Sequence, residues 1–159
     1  MIRSIEIRNF KGLSACGIDK MSRVNLFVGK NNVGKSSLLE AISLLLAEGS
    51  PRWIMTLLEN RGLETYFRTY GGESRGYEIQ SNITSLYTGR DTAAFLRDPL
   101  VISASGDDGS EVGVSLKLGS LMYSTTQDEN GDPIQRRIYV NPDEVDTAED
   151  LTSGLMVSF

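Results

Sequence analysis

The stretch Gly29-Lys30-Asn31-Asn32-Val33-Gly34-Lys35-Ser36 decides how this chain is read, because it fits G-x-x-x-x-G-K-[ST], the spacing of a phosphate-binding (Walker A) loop. The pattern carries weight only between a strand and a helix, and the flanks predict both. Val24, Leu26, Phe27 and Val28 form a short, almost continuously apolar run, as in a buried strand, and Ser37 to Glu48 reads as helix. Leu38, Leu39, Ala41, Ile42, Leu44, Leu45, Leu46 and Ala47 cover most of that helix and leave chiefly Glu40, Ser43 and Glu48 polar, which predicts a helix packed on a sheet.

The residue types supply the chemistry. Gly29 and Gly34 let the backbone turn tightly and come close to an anion, so that the N–H groups from Lys30, Asn31, Asn32 and Val33 onward converge at the positive end of the following helix. Lys35 is the candidate catalytic residue, reaching the β- and γ-phosphates. Ser36 is the candidate Mg²⁺ ligand, and Ser37 is placed to bond the α-phosphate. The expected ligands are therefore a nucleoside triphosphate, ATP, and Mg²⁺.

Upstream, Ile5 and Ile7 alternate with Glu6 and Arg8 as in a half-buried strand, Asn9 to Leu13 forms a turn, and a second edge leads to Val24. The strand entering the loop is thus not the first. This opening, Ile2-Arg3-Ser4-Ile5-Glu6-Ile7-Arg8-Asn9-Phe10-Lys11-Gly12-Leu13, followed by GKNNVGKSSLLEAISLL, resembles the amino-terminal end of ABC-type ATPases of the SMC/RecF/OLD group, most closely the OLD-like ones. In that group the Asn-Phe-Lys end of the first strand, the Asn pair in the loop and the Leu-Leu-Glu-Ala-Ile helix start recur together; here they are Asn9 to Lys11, Asn31-Asn32 and Leu38 to Ile42. The likeness covers roughly the first 48 residues.

The resemblance implies an α/β P-loop NTPase fold, the first lobe of an ABC-type ATPase, with a mixed or antiparallel β layer around the loop strand and helix. It implies a Walker A lobe over 1–60 and an antiparallel β-rich segment over 61–159, together a partial ATPase domain. Two such heads would close face to face as a homodimer. DNA, or a nuclease domain or partner, would be what the ATPase gates, in DNA processing or anti-phage defence. Lys11 and its turn would neighbour the adenine.

A GTPase is the rival reading, since strand, Asn-Val-Gly-Lys-Ser and a leucine-rich helix start are common there too. Its later motifs are missing. No Asn-Lys-x-Asp is present, and Asp128 to Gly131 sits in Gln127-Asp128-Glu129-Asn130-Gly131-Asp132-Pro133, a turn by composition.

Farther along, Ser50-Pro51 starts a predicted helix to Glu59 that turns Trp53, Ile54, Leu57 and Leu58 inward and ends near Gly62. Gly71-Gly72 marks a break, Tyr77 to Ile83 a strand, and Ala93 to Arg97 a helical turn stopped by Pro99. Residues 100 to 118 read as a hairpin around Gly106 to Gly109, with Val112, Val114, Leu116 and Leu118 on one face; a second hairpin runs from about Leu121 to Val140 around Asn130-Gly131.

Composition bounds the rest. At 159 residues, 40% hydrophobic and 23% charged, the chain suits one domain of ordinary globular make-up. Neither a signal peptide nor a membrane-spanning run is visible, so a cytoplasmic location is the default. Histidine is absent, which excludes a serine triad, a histidine zinc site or a histidine phosphate sensor from these residues. Cys16 reads as a small packed residue. Residues 1 to 60 carry net +3 and residues 61 to 159 net −8, so the loop end is the basic one, and Arg3, Arg8, Lys11, Lys20, Arg23 and Lys30 read mostly as solvated surface charge.

The other parts of an ABC-type site are not found. Ile138-Tyr139-Val140-Asn141-Pro142-Asp143-Glu144 imitates the strand plus acidic pair that holds Mg²⁺, but Pro142 breaks the buried strand that motif needs, and Asp143 to Asp150 reads as an exposed acidic run. Leu151-Thr152-Ser153-Gly154 lacks the second glycine of the signature motif and reads as a loop or strand start. Gln80, Gln127 and Gln135 are candidate Mg²⁺-sensing glutamines, with nothing to select among them, and Asn82-Ile83-Thr84 is a glycosylation triplet without consequence in a cytoplasmic protein. The chain stops in a strand-like run, Val157-Ser158-Phe159, so the remainder of an ATPase head is expected downstream. Two readings stay open: an ATPase lobe with little turnover alone, or a nucleotide-binding interaction module, of which a GTPase switch is one form.

Overall fold

A computed structural model of the chain describes residues 1–60, 66–70, 76–80, 83–140 and 152–159. Eight strands and three helices carry the architecture among these residues. In chain order they are β1 (Ile2–Phe10), β2 (Leu13–Ile18), α1 (Lys35–Leu46), α2 (Pro51–Glu59), β3 (Tyr66–Tyr70), β4 (Gly76–Gln80), α3 (Thr92–Arg97), β5 (Leu100–Gly106), β6 (Glu111–Gln127), β7 (Pro133–Val140) and β8 (Thr152–Ser158). Two 3₁₀ turns, Ile83–Leu86 and Thr88–Arg90, precede α3.

The strands form one sheet in the order β2-β1-β5-β6-β8-β4-β3, with β7 also on β6, and every described pairing is antiparallel. The α/β expectation with an antiparallel layer therefore holds. Period-two alternation builds the layer: Ile5 and Ile7 of β1 are buried while Glu6 and Arg8 are exposed, and β5 repeats the pattern with Leu100, Ile102 and Ala104. Leu38, Ala41, Leu44 and Leu45 of α1 cover that apolar face, and each fully buried leucine or isoleucine there contributes roughly 1.5–3 kcal/mol.

The end of α1 is fixed by backbone geometry. Glu48 and Gly49 have φ of 53° and 65°, and their N–H groups donate to the carbonyls of Leu45 and Leu44 at 3.0 Å. A Cβ at Gly49 would lie 2.7 Å from Val157 Cγ1 and 3.0 Å from Val114 Cγ1, so β6 and β8 close directly over this bend. Ser50-Pro51 then starts α2, as its sequence predicts, with Ile54, Leu57 and Leu58 buried.

Three expectations need correction. Val24 to Val28 is no strand: it runs as irregular chain, with Val24, Leu26 and Val28 at 87%, 85% and 79% exposure. The run has apolar side chains on both faces, and among the described residues no strand pairs with it to cover either. Trp53 is not core but 38% exposed, because its Nε1 donates to Ser43 Oγ at 3.0 Å and holds the ring at the surface. Lys11 is not solvated, as its ion pair below explains.

The two predicted hairpins are present but share one strand. β6 pairs with β5 through its first half and with β7 through its second, and Val112, at 42% exposure, lies outside the apolar face it was expected to join. The turn at Asp128–Asp132 is built by Asp128 Oδ1 accepting from the N–H groups of Asn130 and Asp132 at 2.8 and 2.9 Å, as a turn rather than a GTPase motif requires. Thr152 onward is β8, the strand start preferred over a signature motif. The expectations at Gly62, Gly71-Gly72, Asn82, Asn141 to Asp150 and Leu151 lie outside the described residues.

Candidate functional site

Gly29 to Gly34 leave the irregular run at Val28 and deliver the chain to α1 through two left-handed residues, Asn32 at φ 65° and Gly34 at φ 97°. Glycine at 34 is required twice over, since a Cβ would also stand 3.0 Å from Leu13 Cδ2. Lys35 opens the helix. Its Nζ donates to the carbonyls of Gly29 at 2.8 Å and Lys30 at 2.5 Å, so the ammonium is folded into the concavity of its own loop.

The amino terminus of α1 has no side-chain cap and no acidic residue in its first turn. By contrast, Asp91 caps α3, its Oδ1 accepting from Ala94 N at 3.0 Å. The open N–H groups and positive dipole end of α1 are therefore left to an anion, with a lysine beside them. Ser36 is exposed and Ser37 half-buried; Lys30, Asn31, Asn32 and Val33 are exposed. Among the described residues no group of three or more acidic, histidine or cysteine side chains holds a metal. A cation at this loop would rest on Ser36 Oγ and the oxygens of the phosphates it accompanies, which fits Mg²⁺.

A cavity of about 440 Å³ on the outer face of the sheet is lined by Ser4, Glu6, Ser103, Ser105 and Glu111, with no cation among the described residues that line it, and suits no polyphosphate. One of about 510 Å³ lies against the loop, within the range of ligand pockets. Asn32, Val33, Gly34 and Ser37 form one wall of it; Lys11, Gly12, Ser85, Tyr87, Gly89 and Arg90 line the rest. Gly29, Lys30, Asn31, Lys35 and Ser36 are not part of this lining.

Lys11 joins the two walls. Its Nζ sits 2.6 Å from Glu40 Oε2 on α1 and 5.2 Å from the centroid of the Phe10 ring, with the side chain only 6% exposed. The pair ties the β1–β2 turn to the helix behind the loop, and burial makes it more than a surface contact. Tyr87 is held by its stack on Phe95, with centroids 4.6 Å apart, and burial raises its phenol above the usual pKa. Sequence reasoning missed Ser85, Tyr87, Gly89 and Arg90. Only Gly89 gave any signal, that of a turn.

The AAA ATPase domain family matches residues 1–90, from β1 through the loop and both early helices to the far cavity wall. The chain belongs to that family. An uncharacterized protein of Methanocaldococcus jannaschii is 41% identical over 81 residues, covering 50% of this chain and 35% of its own length. The DNA replication and repair protein RecF of Heliobacterium modesticaldum is 39% identical over 67 residues, 42% of this chain and 18% of its own. The DNA double-strand break repair Rad50 ATPase of Sulfurisphaera tokodaii is 35% identical over 100 residues, 60% of this chain and 11% of its own. No solved structure matches significantly.

These matches support the SMC/RecF-like, ABC-type P-loop ATPase assignment that the opening residues suggest. This ATPase domain spans about a third or less of the length of those three relatives. Among the described residues no helix is long and apolar enough to cross a membrane.

Proposed function

We propose that this ATPase domain binds Mg·ATP at Gly29 to Ser37 as the first lobe of an OLD/RecF-like ATPase head, in which ATP binding and hydrolysis gate a DNA-processing or anti-phage assembly. The observation that carries it is the uncapped amino terminus of α1, with Lys35 beside it, opening onto a cavity of nucleotide size. Loop N–H groups bind the phosphates, and Lys35 exchanges its carbonyl partners for β- and γ-phosphate oxygens, which are stronger acceptors. Mg²⁺ on Ser36 would supply charge neutralisation at those oxygens. The names of RecF and Rad50 favour DNA as the object of the work; a paired head in the cytoplasm is what the resemblance of the opening residues adds to this proposal.

A second reading is also favoured by one observation. Among the described residues no carboxylate lines the cavity, and Glu40 is engaged by Lys11, so these residues bring no base to polarise an attacking water. Binding without turnover, in a nucleotide-responsive interaction module, is what such a site performs alone.

Calorimetric titration with Mg·ATP tests the site. Lys35→Ala should weaken binding by about 100-fold or more while leaving Tm unchanged, since its ammonium contacts only exposed loop carbonyls. Unchanged affinity in that variant would sink the phosphate-loop assignment, and tighter binding of Mg·GTP would overturn ATP as the ligand.

A further inference from the structure

The β1–β2 turn is held in a conformation that its own residues do not favour. Asn9 and Lys11 are both left-handed, at φ 59° and 52°, on either side of the fully buried Phe10. Asparagine tolerates that region and lysine rarely adopts it, so the surroundings must impose it. Three ties do so. The ladder between β1 and β5 ends at Arg8 and Val101, and beyond it Asn9 Nδ2 takes the place of a backbone donor, reaching Pro99 O at 3.1 Å. Lys11 N donates to Leu86 O at 2.9 Å, and Lys11 Nζ meets Glu40 Oε2 at 2.6 Å. Strain over-determined in this way gathers at functional sites.

The turn so held bears on α1 at two levels. Leu13 packs so closely on Gly34, at the helix start, that a Cβ there would lie 3.0 Å from Leu13 Cδ2, and Lys11 holds Glu40 on the second turn of the helix. Lys11 lines the cavity and so has the place of a ligand group, but its side chain is only 6% exposed and its charge is already matched by a carboxylate. To reach a phosphate it would have to abandon Glu40, whose side chain is 22% exposed, and strand that charge away from its ammonium. We infer that Lys11 and Glu40 are positioning residues: the pair, locked from behind by Asn9, sets where the uncapped end of α1 and Lys35 stand relative to the sheet, and acts on a polyphosphate through the loop without touching it. This rests on the phosphate-loop reading of Gly29 to Ser37 and gives that loop the support its own residues lack.

The test titrates Mg·ATP and Mg·tripolyphosphate, well below the Tm of each variant, against the unaltered chain, Glu40→Gln, Lys11→Glu, the exchanged pair Lys11→Glu with Glu40→Lys, and Lys35→Ala. Coulomb's law alone makes removal of the Glu40 charge favour an anion nearby; loss of the tie reverses that sign. Glu40→Gln should therefore weaken both ligands about five- to tenfold, and Lys11→Glu should weaken them further. The exchanged pair should return both to within about threefold of the unaltered chain, which a direct contact of Lys11 with phosphate would not allow. A merely structural tie lowers Tm and leaves both affinities where they were; that result, a loss confined to ATP, or tighter binding by Glu40→Gln overturns the inference with the loop reading intact. An exchanged pair that keeps the unaltered Tm yet binds no better than Lys11→Glu makes Lys11 a ligand and overturns it too; should that pair not fold, Glu40→Gln decides alone. If Lys35→Ala binds both ligands as the unaltered chain does, the loop reading falls and this support with it.

Discussion

Two apolar segments of similar composition meet opposite fates in this ATPase domain. In β1, Ile5 and Ile7 are each 1% exposed; beyond β2, Val24, Leu26 and Val28 stand at 79–87%. Hydrophobicity does not separate them; partners do. β1 lies between β2 and β5, so its backbone is paired on both edges and its apolar face meets α1. The Val24 run has no ladder, and the helix it leads to repeats the contrast on one cylinder. Leu44 and Leu45 are buried against the sheet, while Leu39 and Leu46 are 56% and 67% exposed. The loop Gly29 to Ser36 thus stands at a seam between a covered and an uncovered apolar surface, and an apolar pattern states what a segment requires rather than what covers it.

The sharpest way to break this comparison is on α1 itself. Leu44→Ala should destabilise by about 2–5 kcal/mol in denaturant unfolding, whereas Leu46→Ala, two residues on, should stay within about 0.5 kcal/mol. Equal losses would mean that the exposed face is covered in solution. A smaller effect is expected where the covered layer meets the cavity: Asp91→Ala removes the cap of α3 and should cost about 1 kcal/mol, read as a shift in urea midpoint without a change in slope. The smallest belongs to the uncovered run. Leu26→Ser should shift stability by less than about 0.5 kcal/mol and reduce self-association in light scattering; a large stability loss would show that the run is packed.

Much of the covered layer was legible. The alternation of β1, the Ser50-Pro51 start of α2, the Gly106–Gly109 turn between β5 and β6 and the Asn130-Gly131 turn before β7 are local signals, and local chemistry decides them. β3 went unread although Tyr66, Phe67, Thr69 and Tyr70 suit a strand, and Gly119-Ser120 hid the continuity of β6, because pairing on both sides carries the ladder through a weak point.

The site divides the same way. The turn into α1 was readable because Gly34, at φ 97°, acts through sequence-local backbone. The far cavity wall was not, since Ser85 to Arg90 owes its shape to contacts with Phe10, Lys11 and Leu13 that no periodicity announces. Lys11 was misjudged for the same reason: Glu40, the partner that buries it, lies on another element.

The bend at Gly49 has a consequence for the order in which the molecule is made. Helix α1 leaves the ribosome early, yet the side chains that close over its carboxyl end, from Val114 and Val157, belong to strands synthesised long afterwards. Chain entropy must be spent on that distant closure before any contact there repays it, which places the clamp late in folding. A helix made before β6 and β8 is therefore secured only once both are in place, and a nascent chain lacking β8 holds the Gly29 to Ser36 loop on a helix whose base is still unlatched.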